Sequence, residues 1–126
     1  MKKFIFILFF TASTAAFSYG HPPTDIIITF DTAKSMVYAD IMHQTKDPKT
    51  HFIYLVQVSV NGKSLIKQEM TQQVSPEKQT VAYLIPGLKA GDRVLFDADC
   101  NKYGDLQKEA VATDGAVKKA VKGKKP

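Results

Sequence analysis

The chain has 126 residues, one cysteine, no tryptophan and a formal net charge of +5. A single cysteine rules out an intrachain disulfide framework, and the length suits one domain with a modest core. The positive charge sits at the ends: Lys118, Lys119, Lys122, Lys124 and Lys125 crowd the carboxyl terminus, while His21 to Val117 carries 10 basic against 12 acidic side chains. That distribution excludes a nucleic-acid footprint, which needs basic residues spread over a folded face with aromatics among them.

In chain order, Met1-Lys2-Lys3 is followed by the apolar run "FIFILFF" (Phe4–Phe10) and the small residues of "TASTAAFSYG". Basic start, apolar block and small-residue exit read as a cleaved secretory signal over residues 1–20. The apolar run is too short to span a bilayer and no later segment approaches that length, so no membrane span is expected. Ser18 and Gly20 occupy the exit positions that place the cut after Gly20, which makes His21 the first mature residue. A cut after Ala15 or Ala16 is the competing site. The expected location is secreted or periplasmic.

The body, residues 21–115, is written in period two. "DIIITF" (Asp25–Phe30) is a β-branched run, and "SMVYADIMH" (Ser35–His43) alternates with Val37, Ala39, Ile41 and His43 on one face. "HFIYLVQVSV" (His51–Val60) leads into Asn61-Gly62, a strong type I′ hairpin signal, and "SLIKQEM" (Ser64–Met70) returns from it. "TVAYLI" (Thr80–Ile85), "RVLFDADC" (Arg93–Cys100) and "DLQKEAVA" (Asp105–Ala112) complete the set, with Val94, Phe96, Ala98 and Cys100 sharing a face. About seven short strands at this turn density predict an all-β fold, an antiparallel β-sandwich of immunoglobulin-like type. Beyond it, "GAVKKAVKGKKP" reads as a solvated, disordered basic tail, residues 116–126 of which lie outside the domain.

Three ligand-type side chains fall on core parities at strand ends: His43, His51 in register with Ile53 and Leu55, and Cys100. His43 closes one strand and His51 opens the next across "QTKDPKT", so both belong to one end of the sandwich. Imidazoles and a thiolate meeting at a rim make a transition-metal site. The bland alternative is a pair of capping histidines and a small buried thiol.

The order "HPP" (His21–Pro23), "MHQ" (Met42–Gln44), "HFI" (His51–Ile53), "NGK" and "CNKYG" (Cys100–Gly104) resembles the iron domain of the superoxide reductases, the desulfoferrodoxin and neelaredoxin family. The resemblance covers roughly residues 21–110. It implies a sandwich holding one mononuclear iron, cycling between ferrous and ferric, by equatorial histidines and an axial cysteine thiolate. By position, His21, His43 and His51 would be equatorial ligands and Cys100 the axial one. Tyr103 stands where the family carries its last ligand histidine; it is expected to pack, with phenolate ligation as the alternative. Gln44 replaces a usual proline, and Gly20 stands where a lysine that attracts superoxide is common. Lys46 and Lys49, in the loop between two expected ligands, are the candidates to supply that charge. The implied activity is an oxidoreductase that reduces superoxide to hydrogen peroxide with an unidentified electron donor, as a monomer or homo-oligomer. Two other readings stand beside it. A copper-binding protein would use the α-amine and ring of His21 as an amino-terminal brace. A non-catalytic sandwich that has lost its metal would bind a partner instead.

Overall fold

The computed structural model describes residues 20–115; the expected export signal before Gly20 and the basic tail over 116–126 lie outside them. Seven strands follow one another: β1 (Asp25–Asp31), β2 (Met36–Met42), β3 (Ile53–Val60), β4 (Lys63–Glu69), β5 (Lys78–Leu84), β6 (Arg93–Cys100) and β7 (Asp105–Val111). They form two antiparallel sheets, β1-β2-β5 and β4-β3-β6-β7, packed face to face. The expected β-sandwich is the fold. Relative to the constant-type immunoglobulin order, the fourth strand has moved to the sheet of the third, sixth and seventh. Among the described residues, no helix is long and apolar enough to cross a membrane.

Period-two patterning accounts for the core. Along β2, Val37, Ala39 and Ile41 point inward and Tyr38 and Asp40 outward; along β6, Val94, Phe96 and Ala98 point inward. Ile26 faces Ile41 across the β1–β2 ladder, and Val58 faces Phe96 across β3–β6. Phe96 is the largest fully buried side chain, and Tyr83 of the opposite sheet stacks over it at 6.2 Å between ring centroids. Burying such a side chain stabilises by roughly 1.5–3 kcal/mol.

The turns behave as their residues dictate. Asn61 and Gly62 both adopt positive φ, 50° and 82°, as a type I′ turn requires. Asp31 accepts a hydrogen bond from the Lys34 amide and so caps the one short helical turn among the described residues, Thr32–Lys34.

Strand β3 departs from simple alternation. Cys100 pairs with Ile53 and Asp99 with Leu55, so Tyr54 is an extra residue in the ladder with β6. This bulge reverses the parity: Ile53 is inward before it, and Val56 and Val58 are inward after it. The expectation that His51, Ile53 and Leu55 form one continuous strand face is corrected accordingly. Leu55 is buried too, but the inner row continues through Val56, and His51 lies in the turn before β3.

Candidate metal centre

Every strand end at one pole of the sandwich carries a piece of the site. Beyond β2 the inward parity continues one step to His43, which is 0% exposed. Its amide donates to the Glu77 carbonyl at 3.0 Å, which ties it to the chain entering β5. His51 is set by a tight turn: the Thr50 and His51 amides donate to the Asp47 carbonyl, and the Lys49 amide donates to Asp47 Oδ1.

Asn101 then clamps that turn to the end of β6. Its Oδ1 accepts from the Phe52 amide at 2.9 Å and its Nδ2 donates to the Thr50 carbonyl at 3.0 Å. Its own amide donates to the Phe52 carbonyl at 3.0 Å. The clamp brings His51 Nε2 to 3.1 Å from Cys100 Sγ. The chain reverses after Cys100, whose amide donates to the Gly104 carbonyl at 2.9 Å. Gly104 has φ +79°, and a Cβ there would stand 2.9 Å from the Pro22 side chain, so only glycine lets this loop lie on the "HPP" segment. That contact holds His21 over the other two imidazoles.

The three rings form a tight group. Centroid separations are 4.8 Å for His21–His43, 5.2 Å for His21–His51 and 4.7 Å for His43–His51. One ligand nitrogen from each lies within 4.8 Å of the others, with Cys100 beside the group through His51. A histidine group able to hold a metal ion is therefore present. His21 and His51 open onto a cleft of about 400 Å³, lined also by Gln44, Thr45, Lys46 and Asp47. His43 closes the group from the core side.

Burial disfavours the charged form of two of the rings, His43 and His51. Burial holds His43 below the usual imidazole range, against the opposing effect of its hydrogen bonds to Gln73 and the His21 carbonyl. Burial also lowers His51, assisted by the neighbouring His43, His21 and Lys102. A neutral imidazole owns one N–H, yet two of these rings each face two acceptors. His43 has Gln73 Oε1 at 2.8 Å and the His21 carbonyl at 3.1 Å. His21 has the Pro22 carbonyl at 3.0 Å and the Gln44 carbonyl at 2.7 Å. His43, kept from charging by burial, therefore turns one lone pair toward another lone pair, an arrangement that a cation relieves. The donor chemistry fits a metal such as iron, copper or zinc.

The structure brings His21, His43 and His51 into one group, and Cys100 adjoins it through His51 without belonging to it. Tyr103 does not pack: it is 68% exposed. Lys46 lines the cleft, whereas Lys49 of the same loop does not. Sequence patterning missed Gln73, which is 3% exposed and contacts His43 directly, and missed the clamping role of Asn101. No periodic signal separates Gln73 from its neighbour Gln72, and Asn101 carried only the weight of its motif. A second group, Asp97, Asp99 and Asp105, lies across β6 and β7 and contains no imidazole or thiol. Set against family models, curated proteins and solved structures, the chain matches none, and the chemistry of the site stands on these residues alone.

Proposed function

We propose that this is an exported, mononuclear non-haem iron protein of superoxide-reductase type. His21, His43 and His51 would hold the metal through imidazole nitrogens and Cys100 through its thiolate. The observation that carries the reading is the convergence of one nitrogen from each of the three rings within 4.8 Å, with Cys100 Sγ 3.1 Å from His51 Nε2. Iron held by these residues would supply the one electron that, with two protons, converts superoxide to hydrogen peroxide.

The chain's own residues set the conditions. The Lys102 amide donates to Cys100 Sγ at 3.4 Å and helps to orient the sulfur beside His51. Lys46 at the mouth of the cleft adds positive potential for a small anion. His43, fully buried, keeps the inner side of the site dry, while the cleft leaves the His21–His51 side open.

The test uses mature protein loaded anaerobically with ferrous iron. One iron per chain is expected, with a thiolate charge-transfer band in the red for the ferric form, lost in Cys100→Ser. A pulse of superoxide should yield peroxide in proportion to ferrous iron consumed. Absence of iron uptake, or uptake without peroxide, overturns the reading.

A copper reading is favoured by one specific contact. His21 Nε2 lies 2.7 Å from the Gln44 carbonyl, closer than Nδ1 does to the Pro22 carbonyl at 3.0 Å; an N–H on that shorter contact would leave Nδ1 to chelate together with an α-amine. It requires cleavage after Gly20. Amino-terminal sequencing and the metal that co-purifies from an extract separate the two, and failure to take up any metal would favour a non-catalytic binding module.

A further inference from the structure

Gln73 lies in the stretch between β4 and β5, 30 residues from His43 in the chain, and is 3% exposed. Its amide group uses all its hydrogen-bonding capacity. Nε2 donates to the His43 carbonyl at 2.7 Å and to the Ser75 carbonyl at 2.9 Å. Carbonyl oxygens only accept, so the amide cannot be turned round without setting oxygen against two oxygens. Oε1 is therefore the atom that receives the Ile53 amide at 3.3 Å and faces His43 Nδ1 at 2.8 Å. It can only accept there, so Nδ1 carries the hydrogen. The Gln73 backbone is held as well, its amide donating to the Pro48 carbonyl at 2.9 Å in the loop between the two ligand histidines.

From this geometry we infer that Gln73 is a positioning residue that fixes the tautomer of His43 and so decides which nitrogen is offered to a metal. With Nδ1 holding the hydrogen, the lone pair is on Nε2, the atom turned toward His21. Without an acceptor at Nδ1, the hydrogen is free to move to Nε2, where the His21 carbonyl at 3.1 Å accepts it and the ligand atom is masked. A ligating histidine commonly has its second nitrogen held by a partner whose removal costs about 10–100-fold in metal affinity. The inference rests on the reading of His43 as a ligand. It extends that reading from the residues that bind to a buried amide that tells one of them how to bind.

The test reads the tautomer directly, by nitrogen-15 NMR of the histidine rings in metal-free mature protein above about pH 8, where imidazoles are neutral. Wild-type His43 is expected to show hydrogen on Nδ1. Gln73→Met, which keeps the length but removes both polar atoms, should move it to Nε2 and weaken binding of Co2+ by about 10–100-fold. Gln73→Glu retains an acceptor at Nδ1 and should keep the Nδ1–H form, although it loses the bonds to the His43 and Ser75 carbonyls. A purely structural role predicts the same tautomer in all three. Hydrogen on Nε2 in the wild type overturns the inference whether or not either variant folds, and so does a folded Gln73→Met that keeps it on Nδ1. Wild type with hydrogen on Nδ1 but no Co2+ uptake overturns the metal reading instead and leaves the tautomer assignment supported.

Discussion

The two poles of the sandwich both bury polar side chains, and they do so in opposite ways. At the Asn61-Gly62 pole, the Asp92 carboxylate receives the Lys89 amide, the Lys89 ammonium and Asn61 Nδ2, all at 2.9–3.0 Å. Asn61 Oδ1 in turn accepts from the Arg93 amide. Each acceptor there meets a donor. At the histidine pole, His21 and His43 each face two oxygens, and His43, kept from charging by burial, has a single N–H for its pair. Matched polar groups close a structure, whereas unmatched lone pairs converging on one point leave room for a cation. The difference lies in hydrogen-bond arithmetic, since each pole buries a polar side chain, Asp92 or His43, beside a strand end.

The largest expected effect separates the poles by metal. A divalent ion at a hundred times its Kd stabilises a native protein by about 2.7 kcal/mol, which raises Tm by roughly 10 °C or more in a domain of this size. Calorimetry with and without Co2+ should show that rise in wild type and lose it in His43→Ala. Asp92→Ala strips the partner from Lys89 and Asn61, so its urea midpoint should fall while the Co2+ shift persists. If Asp92→Ala also abolishes the shift, the poles are not independent.

Acid should dissolve the poles in sequence. In metal-free protein His43 and His51 are held below the ordinary imidazole value of 6.5 by burial, so the unfolded chain binds protons before the native one does. Their contribution is complete above 6.5 and declines as pH falls below it. Asp92, held down to about 2 chiefly by its hydrogen bond from Lys89, contributes fully above 3.8 and loses that contribution between 3.8 and about 2. Urea midpoints measured across the acid range should therefore fall in two stages, with the first reduced in His43→Phe if that variant folds. A single fall below pH 4 would show that the histidine pole is not desolvated as described.

Smaller effects probe the mouth of the site. Lys46→Glu should slow the reaction of ferrous protein with superoxide by about two- to fivefold at low salt, with the difference shrinking as salt screens the charge. Lys49→Glu, outside the lining of the cleft, should change the rate less. The smallest effect belongs to Tyr103: with its ring 68% exposed, Tyr103→Phe should leave metal affinity and the ferric spectrum unchanged. A lost absorption band in that variant would mean that the phenolate reaches the metal.

How much could be read without coordinates follows from the range of the forces involved. Alternation in "SMVYADIMH" and "RVLFDADC" reports on neighbouring residues, so it placed β2, β6, His43 and Cys100 on inward faces correctly. The same logic gave His51 the right neighbourhood for an incomplete reason. The extra residue at Tyr54 breaks the period, and the Asp47 turn with the Asn101 clamp sets the ring. Tyr103 was expected to pack from its place in a motif, but a motif does not encode which way a turn throws a side chain.

The strands, the tight turn at Asn61-Gly62 and the dry side of each sheet are legible in the residues alone, because they depend on period-two burial and on the φ a residue tolerates. Folding in three dimensions is what sets one nitrogen from each of three imidazoles within 4.8 Å of the others and places a buried amide against one of them. Those contacts join positions 30 to 51 residues apart, such as Gln73 with His43, Cys100 with His51 and Asn101 with Thr50. Local pattern carries no record of such pairings: hydrophobic burial brings the strand ends together, and the few polar atoms trapped there must then find partners among whatever the fold has placed beside them.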